Sequence, residues 1–339
     1  MATMRIGVIG VGRAGRVHLD AWRAVEGADP VAVADPEPAV RRAARDAGLR
    51  AYADPADLIG REDLDAVSIC TPPASHAEIA IACLARGLDV LCEKPLAVTV
   101  TEARRMLAAA TRHGRRLLLA TKFRHVPDLV QARALVTGGA IGEPLGFGID
   151  FSSVVDMSRR WNSRPQVAGG GVVVDNGCHA FDIVGFLFGP VSRVHATRLK
   201  SVQRLSVEDS ATILVAADGG LIGRVDLSWS HATERPAYIA IHGSLGSLEI
   251  GWRGSRLCRA GQPPEPIGDG YDRDDAHRRM LAAFRETVRG PGQPWISAEE
   301  CLRTQAALQA AYRSMRTGGW ATVDVPSLDD DDSFEEACA

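Results

Sequence analysis

The sequence predicts an α/β protein with two parts, a doubly wound parallel sheet at the N-terminus and an α/β domain whose open sheet is largely antiparallel. Three observations carry this. From Met4 to about Ala120, short apolar runs alternate with Ala- and Arg-rich stretches of helical length, the rhythm of strand-helix-strand units. After Lys122 that rhythm stops, and between Val191 and Ile250 strand-like stretches are separated by turn residues instead. Finally, 339 residues at 46% hydrophobic content exceed the usual size of one domain and suggest about two cores.

The parallel strands are expected at Ile6 to Ile9, Val31 to Ala34, Ala66 to Ile69, Val90 to Cys92 and Leu117 to Ala120, with helices on both faces. Gly48, Gly87 and Gly114 each follow a periodic apolar segment and precede the next strand, where a left-handed residue ends a helix. Beyond Lys122 come a helix near Pro127 to Val136, a strand over Leu145 to Val155 and a bend at Gly169-Gly170-Gly171. The stretch from Val172 to Leu187 has helical character. Ala211 to Ala217 and Leu221 to Trp229, joined by Asp218-Gly219-Gly220, read as a hairpin. Near the end, Ser297 and Glu300 form a capping box for a helix reaching about Met315, expected to return to the first domain. These signals divide the chain into 1–122, 123–326 and an acidic tail, 327–339. The acids from Asp329 to Glu336 read as a solvated disordered tail, to which no function is assigned.

Composition excludes several classes. A net charge of −3, with arginines scattered among carboxylates, leaves no footprint for nucleic acid. No apolar run approaches the ~20 residues of a membrane span, and the first residues enter a strand pattern without a signal-peptide layout. The expected location is the cytoplasm. The seven cysteines, Cys70, Cys83, Cys92, Cys178, Cys258, Cys301 and Cys338, show no metal-ligand spacing and read as reduced packing residues.

Gly10-Val11-Gly12-Arg13-Ala14-Gly15 follows the first strand directly and opens a helix. In that context Gly10 permits the tight turn, Gly12 lets backbone approach a pyrophosphate, and Gly15 allows close packing of helix on strand. The unpaired N–H groups of the helix N-terminus then face the anion. Asp35 lies twenty residues past Gly15, at the end of the second strand, where a carboxylate accepts hydrogen bonds from ribose hydroxyls and repels a 2′-phosphate. Pro36 and Glu37 supply no neutralising arginine, so NAD is the expected cofactor rather than NADP. Asp35 also reads as an N-cap for the following helix.

Thr71-Pro72-Pro73-Ala74-Ser75-His76, then Glu93-Lys94-Pro95, Trp161, Gly169-Gly170-Gly171 and Asp175 to Asp182 resemble the signature of the Gfo/Idh/MocA oxidoreductase family, over about residues 4 to 325. The resemblance implies a Rossmann domain joined to an α/β domain whose open sheet forms an oligomer interface, hence a homo-oligomer, dimer or tetramer. It also implies that Thr71, Pro72 and His76 line the dinucleotide cleft, that Glu93 and Lys94 lie near the nicotinamide, and that Trp161 approaches it. The alternative for His76 is a helix N-terminal residue satisfied by local backbone. Asn162 departs from the pattern, since arginine is frequent there.

The residues themselves support the chemistry. Lys94 follows a parallel strand and precedes a proline, at the sheet edge where ligands of open α/β sheets bind; there an ammonium stabilises the oxyanion that forms as hydride leaves. Asp175 and His179 are four apart in a helical stretch and share a face, so the carboxylate is expected to orient the imidazole as acid/base. Asp182 has no second histidine beside it, and no metal is expected. The expected reaction is reversible oxidation of a secondary alcohol on a sugar, polyol or cyclitol, with NAD as cofactor. Two alternatives stay open: a non-catalytic NAD- or sugar-sensing regulator, and a glycosidase that uses NAD transiently.

Overall fold

The computed structural model describes residues 2–328 except 234; the acidic stretch from Asp329 and Cys338 lie outside them. The N-terminal part alternates strand and helix: β1 (Met4–Ile9), α1 (Arg13–Arg23), β2 (Ala28–Ala34), α2 (Pro38–Asp46), β3 (Arg50–Tyr52), α3 (Pro55–Arg61), β4 (Ala66–Ile69), α4 (His76–Ala85), β5 (Asp89–Cys92), α5 (Val100–Arg112) and β6 (Leu117–Leu119). The strands form one parallel sheet in the order β3-β2-β1-β4-β5-β6. Both faces are covered, which is why β4 and β5 are buried at every residue. Gly48, Gly87 and Gly114 have φ of +82°, +84° and +60°, so the predicted helix stops use the left-handed region open to glycine.

The remaining elements are α6 (Pro127–Thr137), β7 (Pro144–Ser152), α7 (Pro165–Ala168), α8 (Val172–Asp175), α9 (Gly177–Phe188), β8 (Val191–Arg198), β9 (Ser210–Ala217), β10 (Ile222–Ser228), β11 (Ala237–Gly243), β12 (Gly246–Gly251), β13 (Ser255–Arg259), β14 (Glu265–Gly268), α10 (Arg273–Arg289), α11 (Ala298–Thr317) and β15 (Ala321–Thr322). Nine strands form a second sheet in the order β14-β13-β12-β11-β7-β10-β9-β8-β15, antiparallel except for the β7–β10 pair. Phe147, Ile149 and Phe151 of β7 point into the core, with less buried residues between them, the alternation of a sheet packed on one face.

The sixth parallel strand, β3 (Arg50–Tyr52), is not among the expected strands, and two further features differ from the sequence expectation. The stretch Val172 to Leu187 is not one helix: it breaks at Asn176, whose Nδ2 donates to Phe151 O at 3.1 Å and ties the break to β7. The chain also returns to the first core earlier than its C-terminal helix. Met280, Leu281 and Phe284 of α10 pack there, Phe284 edge-on to Trp22, together with Cys301 and Leu302 at the start of α11. The Ser297–Glu300 capping box is formed at both bonds. Among the described residues no single helix is long and apolar enough to cross a membrane; the bent pair Pro165–Asp175 and Gly177–Phe188 is together long and apolar but contributes Val172, Val173, Phe181 and Ile183 to the second core.

Candidate active site

The order of the first sheet reverses between β1 and β4, so the loops leaving these neighbouring strands diverge and open a crevice at their carboxyl ends. Gly10 (φ +83°) turns the chain there, and a Cβ on it would meet Thr71 N at 2.7 Å. A Cβ on Gly15 would overlap Gly10 O, whereas one on Gly12 would meet nothing. Gly12 therefore faces open space at the N-terminus of α1, which has no side-chain cap. Free N–H groups, a missing Cβ and Arg13 beside them suit a pyrophosphate.

Asp35 is buried at the end of β2, with Oδ2 accepting from Val11 N at 2.8 Å and Oδ1 from Glu37 N at 2.9 Å. The N-cap of α2 is Glu37, which removes the capping alternative for Asp35. One turn into α2, Arg41 donates from Nη1 to the carbonyls of Asp35 (2.9 Å) and Pro36 (2.7 Å). The fold thus brings an arginine next to Asp35 that the adjacent sequence does not.

A cavity of about 1450 Å³ runs from Gly12, Arg13 and Ala14 past Thr71, Glu93 and Lys94 to Asp175, His179 and Trp161. Pro72 and His76 are not among the residues that line it. His76 is fully buried, with Nε2 2.8 Å from Thr71 O and Nδ1 3.0 Å from Pro95 O. Its ring braces the turn after β4 against the loop after β5. That is the backbone-satisfied alternative, and no ring nitrogen is left for a ligand.

Lys94, followed by a cis bond to Pro95, donates from Nζ to Asp175 Oδ1 at 2.7 Å and to Asp175 O at 2.8 Å. Here the expected pairing is corrected. The break at Asn176 turns the Asp175 carboxylate toward the lysine, and His179 makes no hydrogen bond with it. Burial pushes the Lys94 pKa down, but the charges of Asp175 and Glu93 outweigh it and hold the value above that of an ordinary lysine. His179 packs edge-on against Phe123, with centroids 5.0 Å apart. Burial, reinforced by Lys94 and Lys122, drives its pKa well below the ordinary imidazole value.

Glu93 resists its burial through a 3.0 Å hydrogen bond from His18 Nε2 and the charges of His18 and Lys94, which bring its pKa to about 2. His277 donates from Nδ1 to Arg273 O at 2.6 Å, and burial lowers its pKa to about 4. His18, Glu93 and His277 each bring a potential ligand atom within 4.8 Å of the others. The charge a cation would answer is already met, because His18 bonds Glu93 and Lys94 lies beside it. Sequence reasoning missed His18, His277, Tyr271 and Lys122. Lys122 was accessible to the rule that selected Lys94, since it too follows a parallel strand, β6, at its carboxyl end. The others come into range only through packing of α1 and α10.

Comparison with known proteins agrees with this architecture. Residues 4–121 match the profile described as oxidoreductase family, NAD-binding Rossmann fold, and residues 129–249 match the GFO/IDH/MocA C-terminal domain. The chain is 32% identical to D-apiose dehydrogenase of Paraburkholderia graminis, over 95% of this chain and 90% of that protein. It is 30% identical to inositol 2-dehydrogenase 1 of Saccharopolyspora erythraea, over 87% and 86%. A crystal structure of an oxidoreductase domain protein from Kribbella flavida superposes with a TM-score of 0.85 at 27% identity, covering 96% of this chain and 100% of that one. The chain belongs to the Gfo/Idh/MocA family of NAD-binding oxidoreductases.

Proposed function

We propose that this protein reversibly oxidises a secondary alcohol on a sugar or cyclitol, with Lys94, Asp175 and His179 as the residues that handle the oxygen and its proton. The observation that carries the reading is that Lys94, clamped by Asp175, shares one cavity with His179 and with the anion site at Gly12 and Arg13. When bound, NAD⁺ supplies the hydride acceptor at nicotinamide C4. Of the three N–H bonds on Lys94 Nζ, two are spent on Asp175; the third is left for the substrate oxygen, where it stabilises the charge that builds as hydride departs. His179, kept neutral, takes the hydroxyl proton. Asp175 positions Lys94, and Thr71, Glu93 and Trp161 form the walls around the reacting ends. The names of the two relatives support a sugar or cyclitol as substrate.

The test is a panel of pentoses, hexoses, anhydrosugars and inositols with NAD⁺, read by NADH absorbance. Net NADH from at least one supports the proposal. Sugar release without net cofactor change would mark a glycosidase, and binding without turnover a sensor.

The low pKa of His179 sets a pH expectation. Because burial keeps the ring in its base form to lower pH, kcat/KM for alcohol oxidation should stay level between about pH 6 and 7.5, where an ordinary imidazole of pKa ~6.5 would cut it off. An acid limb near pH 6.5 that disappears in His179→Ala would contradict the environment assigned to this histidine.

Cofactor choice rests on Asp35, as the partner of the adenosine ribose. Asp35→Ser removes the repelling charge while leaving Arg41 in place, so the NADP⁺/NAD⁺ ratio of kcat/KM should rise on the order of tenfold or more. An unchanged ratio in a folded variant would remove Asp35 from discrimination. A homo-oligomer, dimer or tetramer, is supported by the open face of the second sheet, where Leu214 and Ile222 are 38% and 43% exposed. A cytoplasmic location fits the six described cysteines, all free.

A further inference from the structure

We propose that the substrate is anionic, a sugar acid whose carboxylate pairs with Lys122; this rests on the dehydrogenase reading and narrows its substrate class. Lys122 opens the 3₁₀ turn Lys122–His125 after β6 and lines the cavity. Its Nζ lies 5.5 Å and 5.6 Å from the ring centroids of Phe123 and Tyr271. Among the described residues it has no hydrogen-bond acceptor and no carboxylate within ion-pair distance. The neighbouring half-buried Lys94 is answered by Asp175, and the buried Arg124 by Asp182 at 2.8 Å and by Glu300 at 2.8 Å. Lys122 is half-buried, and a partly desolvated charge without a counter-ion is costly; a neutral hydroxyl does not neutralise it. A ligand carboxylate does.

The described carboxylates that line the cavity already have partners, Asp150 Oδ1 being a buried oxygen that makes no hydrogen bond among the described residues. Among the described residues that line it, Glu93 is bonded by His18, Asp175 by Lys94, Asp150 by Arg235 at 3.0 Å and Glu249 by Arg256 at 2.6 Å. At the rim, Arg160 and Arg253 are exposed and make no ion pair with described residues, a field that draws anions inward. One compact ammonium flanked by two rings suits a monoanion; a phosphate dianion would call for guanidinium forks at depth.

Burial, with Lys94 beside it, brings the Lys122 pKa down to about 8, against the opposing pull of Glu93 and Asp175. The charged and titratable groups facing it are Glu93 and Lys94 after β5, Asp175 at the end of α8, His179 on α9, Arg13 on α1, and Tyr271 and His277 at and within the start of α10. Above about pH 8 the free site loses its proton, so affinity for a carboxylate falls as pH rises, and affinity for a neutral sugar does not.

The test compares each neutral sugar or alditol with its uronate or aldonate, and with a sugar phosphate, by calorimetric binding to the NADH complex and by kcat/KM with NAD⁺. The acid should bind on the order of ten- to a hundredfold more tightly than its neutral parent, and Lys122→Met should erase that advantage while the neutral parent changes little. Retained NADH affinity reports that the variant is folded, and Lys122→Arg should keep part of the preference. Equal binding of acid and parent, an equal loss of both in Lys122→Met, or a preference for the phosphate would overturn the proposal. Turnover of neutral sugars alone would also overturn it while leaving the dehydrogenase reading intact. Lys122-dependent binding of the acid without NADH formation would keep the carboxylate site and sink the dehydrogenase reading.

Discussion

Lys94→Ala is expected to give a folded protein that binds NADH with near-normal affinity and turns over on the order of a hundred- to a thousandfold more slowly, the usual scale for losing an oxyanion donor. The loss should fall on kcat and kcat/KM together, because the bond to the developing alkoxide is made mainly in the transition state. Lys94→Arg should not rescue it. A guanidinium is a planar fork rather than a point charge, and the Asp175 carboxylate and carbonyl that grip Nζ at 2.7 Å and 2.8 Å are spaced for an ammonium. Turnover within a few-fold of wild type would remove Lys94 from the chemistry.

His179→Ala should lower the oxidation rate by on the order of a hundred- to ten-thousandfold, the range for losing a general base, with little change in NADH affinity. Asp175→Asn separates the two readings of this cluster. Because the carboxylate grips Lys94 and makes no hydrogen bond with His179, Asp175→Asn should couple with Lys94→Ala in a double-mutant cycle and add nearly independently to His179→Ala. The Lys94→Ala/Asp175→Asn double variant should therefore resemble Lys94→Ala alone. If Asp175 instead couples with His179, the carboxylate orients the imidazole and the positioning role assigned to it on Lys94 is wrong.

The fold was legible because its signals are local. In the first sheet, strand runs of three to seven residues, Gly10-Val11-Gly12-Arg13-Ala14-Gly15 between strand and helix, and glycines at helix ends all state their structure within a few neighbours. Lys94 and His179 were legible for a related reason, since each belongs to a short motif in a defined context. What failed was the inference of partners. The i to i+4 spacing put Asp175 beside His179 only on the assumption of an unbroken helix, and Asn176 reaching across to Phe151 O removed that assumption. His76 looked like a cleft residue by resemblance, yet two backbone carbonyls from separate loops consume its ring. His18, Lys122 and His277 belong to three elements far apart in the chain, and only the packing of α1, β6 and α10 assembles them around Glu93. Arg41 reaches Asp35 through a helical turn, a proximity that inspection of the next two residues does not capture.

On the function proposed above, a substrate hydride passes directly to the nicotinamide in the cavity lined by Lys94 and His179. It is tested most directly by giving the enzyme NAD⁺ and a substrate deuterated at the carbinol carbon, then weighing the reduced cofactor. One deuterium per NADH formed is expected, with formation slowed in Lys94→Ala and His179→Ala. Reduced cofactor without deuterium, or no reduction with any ligand that binds the NAD⁺ complex, would contradict it.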